Sequence, residues 1–308
     1  MHRLNLALGG AAEYAQGVWA ALWLCSIEKL EKYVVAIEHG PDTFVVTSLY
    51  TTVVVTDIIK PWMTGRARRD VESSVPGTPV SGAASPASPS TQCFERDGER
   101  CIITKVGGCS ESAHIYPYSL HEGFGPKCAR FWDTLSMLWP PSTIEEWKAD
   151  VFGGSNTELC SNRITLSANA HVYWGKGLFA LKPVSMSEDK KTLQLEFHWL
   201  RQVPQSSSTV LLSDKPSFEE SLDGSGKNAR LQDFEKGELI SSGHKIWMKT
   251  DDPINRPLPS VKLLGLQWAL QRLASLSGAA AAFDVLLDSD DEENDGMVRL
   301  YDSEEDFC

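Results

Sequence analysis

The sequence lacks a long apolar run. No stretch approaches the roughly 20 residues that a membrane-spanning helix needs, and the longest candidate is the short segment Val18 to Cys25. A signal-peptide core is missing too, because Glu13 interrupts the N-terminal apolar residues. The expectation is an intracellular chain with no membrane partner, the choice between nucleus and cytoplasm being open. Cysteines are scarce and unpatterned: seven, at 25, 93, 101, 109, 128, 160 and 308, with no CxxC pair. An odd, scattered set argues against a disulfide framework or a strong zinc site and for buried reduced thiols, although Cys101, Cys109, Cys128 and Cys160 could meet in space.

A surplus of positive charge is also absent. The net charge is −12, which at first argues against a nucleic-acid partner, since contacts to phosphates need a basic surface. The charge is segregated, however. Eleven acids lie between Asp284 and Asp306, against Arg299 alone, leaving thirty acids and twenty-eight bases upstream. The body is close to neutral, and the tail reads either as a solvated acidic segment or as a nucleic-acid mimic covering a basic groove.

What is present suffices for a globular core: 308 residues, 42% hydrophobic and 9% aromatic, enough for one large domain or two smaller ones. Residues 71–92 hold four prolines and many serines with almost no large apolar side chain, so they read as a disordered linker. The implied organisation is an N-terminal α/β segment (1–70), the linker (71–92), a central domain (93–205), a C-terminal extension (206–283) and the acidic tail (284–308). In the first segment, Val18 to Glu31 reads as a helix and the β-branched run from Thr43 to Ile59 as a strand pair or small sub-domain.

Beyond the linker the pattern mixes helix and strand, an α+β class. "RCIIT" and "SAHIY" read as short strands around a Gly107-Gly108 turn. Lys127 to Leu138 spaces Phe131, Leu135 and Leu138 on one helical face, and Ser142 with Glu145 reads as a capping box ahead of Trp147. Ile164 to Leu166 is a strand candidate, followed by Ser167 as the N-cap of a short helix carrying His171. "LQLEFHWL" alternates as a half-buried strand, and Val261 to Leu276 is an amphipathic helix ending at Gly278.

The order is strand with His114, a long excursion, Asn162, a second strand, then a helix with His171. Read with Arg96-Asp97, Cys101, Thr104, Ala113-His114-Ile115, Pro117, Trp174 and Phe179-Ala180-Leu181, it resembles the fungal branch of the HNH endonuclease family over roughly residues 95 to 200. The resemblance implies a ββα-metal core with a helical insertion and flanking strands and helices. It also implies one divalent cation, Mg²⁺ in the first place with Mn²⁺ or Zn²⁺ as alternatives. Carried over position by position, His114 is the general base, Asn162 the residue that orients it, and His171 the metal ligand.

Each part of that assignment has a chemical reason. Hydrolysing a phosphodiester needs a water deprotonated near neutral pH, which an imidazole can do, and a Lewis acid for the charge that builds on the phosphoryl oxygens. The rings of His114 and His171 are then expected to face one cavity, with Asn162 within reach of His114. Ala113 stands where many members of the wider superfamily carry a second ligand, and Gly175 where an Asp commonly follows the tryptophan. Glu111, three residues before His114, falls on the other face of an extended strand. Two functions follow: a metal-dependent nuclease acting on nucleic acid, DNA first, or an HNH-type scaffold that only binds nucleic acid or a protein. The sequence sets no oligomeric state.

Overall fold

The computed structural model describes residues 1–39, 54–67, 87–120, 125–153, 157–201, 209–216 and 229–279. Its N-terminal part folds as α1 (His2–Ala7), β1 (Glu13–Ala15), α2 (Gln16–Leu24), α3 (Ile27–His39) and a π-helical turn (Val54–Ile59) that runs into α4 (Lys60–Ala67). The single helix expected over Val18 to Glu31 is two. The Ser26 hydroxyl accepts the Lys29 N–H at 3.2 Å and starts α3 anew. The expected strand pair is corrected in its described part, where Val54, Ile58 and Ile59 are buried at helical spacing. Their burial overrides the strand preference of β-branched residues. Residues 43–53 lie outside the described residues.

The chain continues with α5 (Pro89–Arg96), β2 (Ser110–His114), α6 (Pro126–Leu138), α7 (Pro141–Phe152), β3 (Arg163–Ser167) and α8 (Ala168–Gly175). Then come β4 (Phe179–Met186), β5 (Thr192–Trp199), β6 (Thr209–Leu211), β7 (Gln232–Asp233), β8 (Glu238–Leu239), β9 (His244–Lys249) and α9 (Val261–Leu276). α5 starts inside the expected linker, because Ser88 accepts the Thr91 N–H at 3.1 Å and Pro89 fills the first helical position. Residues 71–86 and the acidic tail lie outside the described residues.

Two further expectations change. Cys101 to Thr104 form a turn, not a strand: the Lys105 N–H returns to the Cys101 carbonyl at 3.0 Å, and Lys105 sits at φ 64°. The reversal lets the Ile102 N–H reach the Thr165 carbonyl of β3 at 2.9 Å. The capping box does not form, because α7 begins at Pro141 and takes Ser142 into its first turn.

β2 and β3 pair antiparallel from Ser110 opposite Ser167 to His114 opposite Arg163, and α8 follows β3 without a loop. A separate antiparallel sheet has the order β4-β5-β9, and its inner residues Leu193, Leu195, Phe197 and Trp199 are buried as the alternation requires. β1 pairs with β6, and the Gln16 amide donates to the Leu276 carbonyl at 3.0 Å, so both ends of the described chain join one core running from Leu4 to Ala279.

Arg96 and Asp97 tie this core to the β2–β3 ribbon. Their side chains are 0% and 2% exposed. The guanidinium donates to the carbonyls of Cys160, Arg163 and Pro257 at 2.8–2.9 Å, and Asp97 accepts the Thr165 N–H at 2.9 Å. A buried charge is tolerable only with its partners made, and here they all come from segments that flank the ribbon. The six described cysteines are free thiols, and burial pushes Cys25 and Cys93 up to about 12.

Candidate functional site

The ribbon carries a histidine on each side, and each histidine has its own carboxylate. His114, at the end of β2, is 9% exposed, and its Nε2 lies 2.6 Å from Glu158 Oε1. The other oxygen of Glu158 accepts from Arg163 Nη2, the residue opposite His114 in the register. Arg163 also reaches the Ser112 hydroxyl at 3.2 Å, which places Ser112, His114 and Arg163 on one face. Burial works against ionisation of Glu158, but the hydrogen bond and charge of His114 and the charge of Arg163 outweigh it. The carboxyl is pulled down to about 2 and is ionised at neutral pH.

On the other face, His171 Nδ1 of α8 lies 2.5 Å from Glu111 Oε2 of β2. Glu111 and His114 are three positions apart on a strand, so alternation alone separates them. An ionised carboxylate only accepts, so each ring presents an N–H to it. In the neutral rings the proton shared with the carboxylate sits on Nε2 of His114 and on Nδ1 of His171. Each histidine thus has its own carboxylate, one pair at the end of β2 and the other between β2 and α8.

Asn162 does not take the orienting role expected of it. Its Oδ1 accepts the Tyr116 N–H at 2.8 Å, and its Nδ2 donates to the carbonyls of Tyr116 and Thr157 at 3.1 and 3.0 Å. These are the bonds of a buried backbone clamp. It joins the segment just after His114 to the residue just before Glu158, and so sets the two ends of the pair rather than the ring itself. Trp174 adds a third support, donating its indole N–H to the His114 carbonyl at 3.1 Å. Glu158 and Arg163 went unread in the sequence. Only the strand register, which puts Arg163 opposite His114, gives them away.

Residues 101–182 match the family model described as HNH endonuclease. No curated protein and no solved structure matches the chain. The HNH match spans β2, α6, α7, β3 and α8 and contains both histidine–carboxylate pairs, and it supports nuclease or nucleic-acid-binding activity.

A cleft of about 520 Å³ opens between the α4 region and α6, lined by Thr56, Asp57, Lys60, Thr64, Lys127 and Arg130. α4 also packs Trp62 against Tyr116, two residues beyond His114, with ring centroids 6.3 Å apart. Lys60, Lys127 and Arg130 are exposed and have no carboxylate partner among the described residues. The cleft therefore concentrates positive charge in a body that is neutral on average.

Proposed function

We propose that the chain is a metal-dependent HNH endonuclease that hydrolyses phosphodiester bonds of nucleic acid, DNA in the first place, with His114 as general base. The observation that carries this reading is the His114–Glu158–Arg163 chain at the end of the ribbon, inside the HNH match. Glu158 holds the ring, so that the His114 imidazole takes a proton from water. The hydroxide attacks phosphorus, the bond from phosphorus to the leaving oxygen breaks, and the imidazolium is stabilised by the Glu158 carboxylate. The basic cleft beside α4 suits the flanking phosphates.

His171, fixed through Nδ1 by Glu111, offers Nε2 in the way carboxylate-oriented histidine ligands do, and Glu111 supports that ligand without being one itself. No group of three His, Cys, Asp or Glu suited to a metal exists among the described residues. A single imidazole nitrogen fits only a cation that keeps most of its waters and completes its shell with phosphate oxygens, as Mg²⁺ commonly does, and Mn²⁺ or Zn²⁺ would favour the imidazole more. Bound there, it would supply Lewis-acid stabilisation of the phosphoryl oxygens.

The lone His171 donor and Ala113 favour a second reading, a scaffold that binds nucleic acid without cutting it. Plasmid nicking in Mg²⁺ or Mn²⁺ separates the two. A nuclease loses about 10²- to 10⁴-fold in His114→Ala while metal binding by calorimetry persists, and His171→Ala loses both. Wild-type cleavage no greater than that of His114→Ala leaves the binding scaffold.

A further inference from the structure

Alternation gives the β4-β5-β9 sheet an outer face of unusual composition. Leu193, Leu195, Phe197, Ile246 and Met248 point inward and are buried. The intervening residues of β9 are Lys245, Trp247 and Lys249, all exposed, and the matching outward residues of β5 are Thr192, Gln194 and Glu196. Lys182 of β4 stands opposite Glu196 from the other side. Glu196 holds His198 at 2.7 Å, and no carboxylate partner falls to Lys182, Lys245 or Lys249 among the described residues. Trp247 is 54% exposed.

Strand geometry fixes the spacing. The Cα atoms of Lys245 and Lys249 lie about 14 Å apart along β9, with that of Trp247 about 7 Å from each. An exposed aromatic side chain between flanking cations matches what an unpaired nucleic acid strand offers, a π-face on every base and a phosphate on either side of it. A duplex hides its base faces and offers only the phosphates. Lysines on edge strands also discourage edge-to-edge pairing, and β4 and β9 are both edges, but that role does not explain the half-exposed indole between two of them. At one end the face is closed, where Trp268 of α9 covers His198 with ring centroids 5.0 Å apart.

We propose that this outer face is a platform for single-stranded nucleic acid, with a base stacked on Trp247 and phosphates held by Lys182, Lys245 and Lys249. The proposal rests on the nucleic-acid reading above and names the form of nucleic acid that this reading leaves open. β5 and β9 lie beyond the HNH match, which ends at Lys182.

The test uses the full chain in EDTA, so that no cleavage intervenes, with fluorescein-labelled 12-mer oligothymidylate and a duplex of equal length followed by anisotropy. The expected result is tighter binding of the single strand, weakened about 5- to 150-fold in Trp247→Ala and largely kept in Trp247→Phe, from the free energy of stacking one base. Replacing Lys182, Lys245 and Lys249 with Gln should flatten the salt dependence of log K by about 2, at about 0.7 per lost phosphate contact. Because Trp247 is exposed, thermal melts should show all variants folded. Equal single-strand affinity in wild type and Trp247→Ala, or a wild type that prefers the duplex, overturns the proposal. Neither result touches nicking by the His114 site, which is read separately in metal.

Discussion

Replacing Glu158 is the sharpest probe of the site, because one carboxylate joins the predicted base to the buried Arg163. Its folded pKa, about 2, lies below the ordinary value of 4.5. The ionised carboxylate therefore stabilises the fold above pH 4.5, and that contribution fades as the pH falls toward 2. A shift of this size corresponds to at most about 3 kcal/mol, and partial solvent screening of a side chain 31% exposed reduces it to about 1–2 kcal/mol. Urea unfolding at intervals from pH 7 to pH 2 should show Glu158→Gln less stable by about that amount above pH 5. The two curves should converge as the pH falls through about 2 and the wild-type carboxylate is itself protonated. Under the nuclease reading the same variant should also lose about 10- to 100-fold in nicking rate, since it keeps an acceptor for Nε2–H but loses the charge that stabilises the imidazolium. A double-mutant cycle with His114→Gln isolates the pair, and a coupling near zero would refute the reasoning.

Two other predictions follow from local geometry. Asn162→Ala removes three hydrogen bonds to the backbone of Tyr116 and Thr157, and should destabilise the fold by about 2–4 kcal/mol in denaturant titrations, with Asn162→Asp only partly rescuing because it cannot donate to the two carbonyls. Lys105→Gly relieves a left-handed backbone position at φ 64° and should raise stability by up to about 1 kcal/mol, less whatever the lost bond from Lys105 Nζ to the Ile102 carbonyl contributes; a thermal midpoint that falls would count against it.

The parts of the fold that the sequence made legible are those with a period. α6, β5 and α9 came out with the apolar residues expected of them in the core, because a stripe at three and four or an alternation at two leaves little choice of face. The failures share a physical cause. Val54 to Ile59 and Cys101 to Thr104 are short and β-branched, and their conformation is set by what they pack against rather than by their own preference. The order of His114, Asn162 and His171 was readable, but the bonding of Asn162 was not: an amide looks the same in sequence whether it orients a ring or clamps a backbone.

The histidine–carboxylate pairings escaped for a different reason. Glu158 lies 44 residues from His114, across the α6–α7 excursion, and Glu111 lies 60 from His171, so neither pair has a spacing that a motif can encode. What brings them together is the ribbon: antiparallel register sets Arg163 opposite His114, and strand alternation turns Glu111 toward α8. The two histidines then receive their carboxylates on different ring nitrogens, Nε2 in one and Nδ1 in the other. A base and a metal ligand have to offer a lone pair from a fixed direction, and a ring free to exchange tautomers offers it only part of the time. Two carboxylates that fix complementary tautomers on one ribbon are thus what the nuclease reading requires of the protein before any cation arrives. That requirement can be read without turnover: in nitrogen-15 spectra of the metal-free protein at neutral pH, His114 should appear with the proton on Nε2 and His171 with it on Nδ1. Glu158→Gln and Glu111→Gln should each loosen only their own ring. A variant that disturbed both rings equally would point to a change in the ribbon as a whole, and would remove the ground for treating the pairs as separate devices.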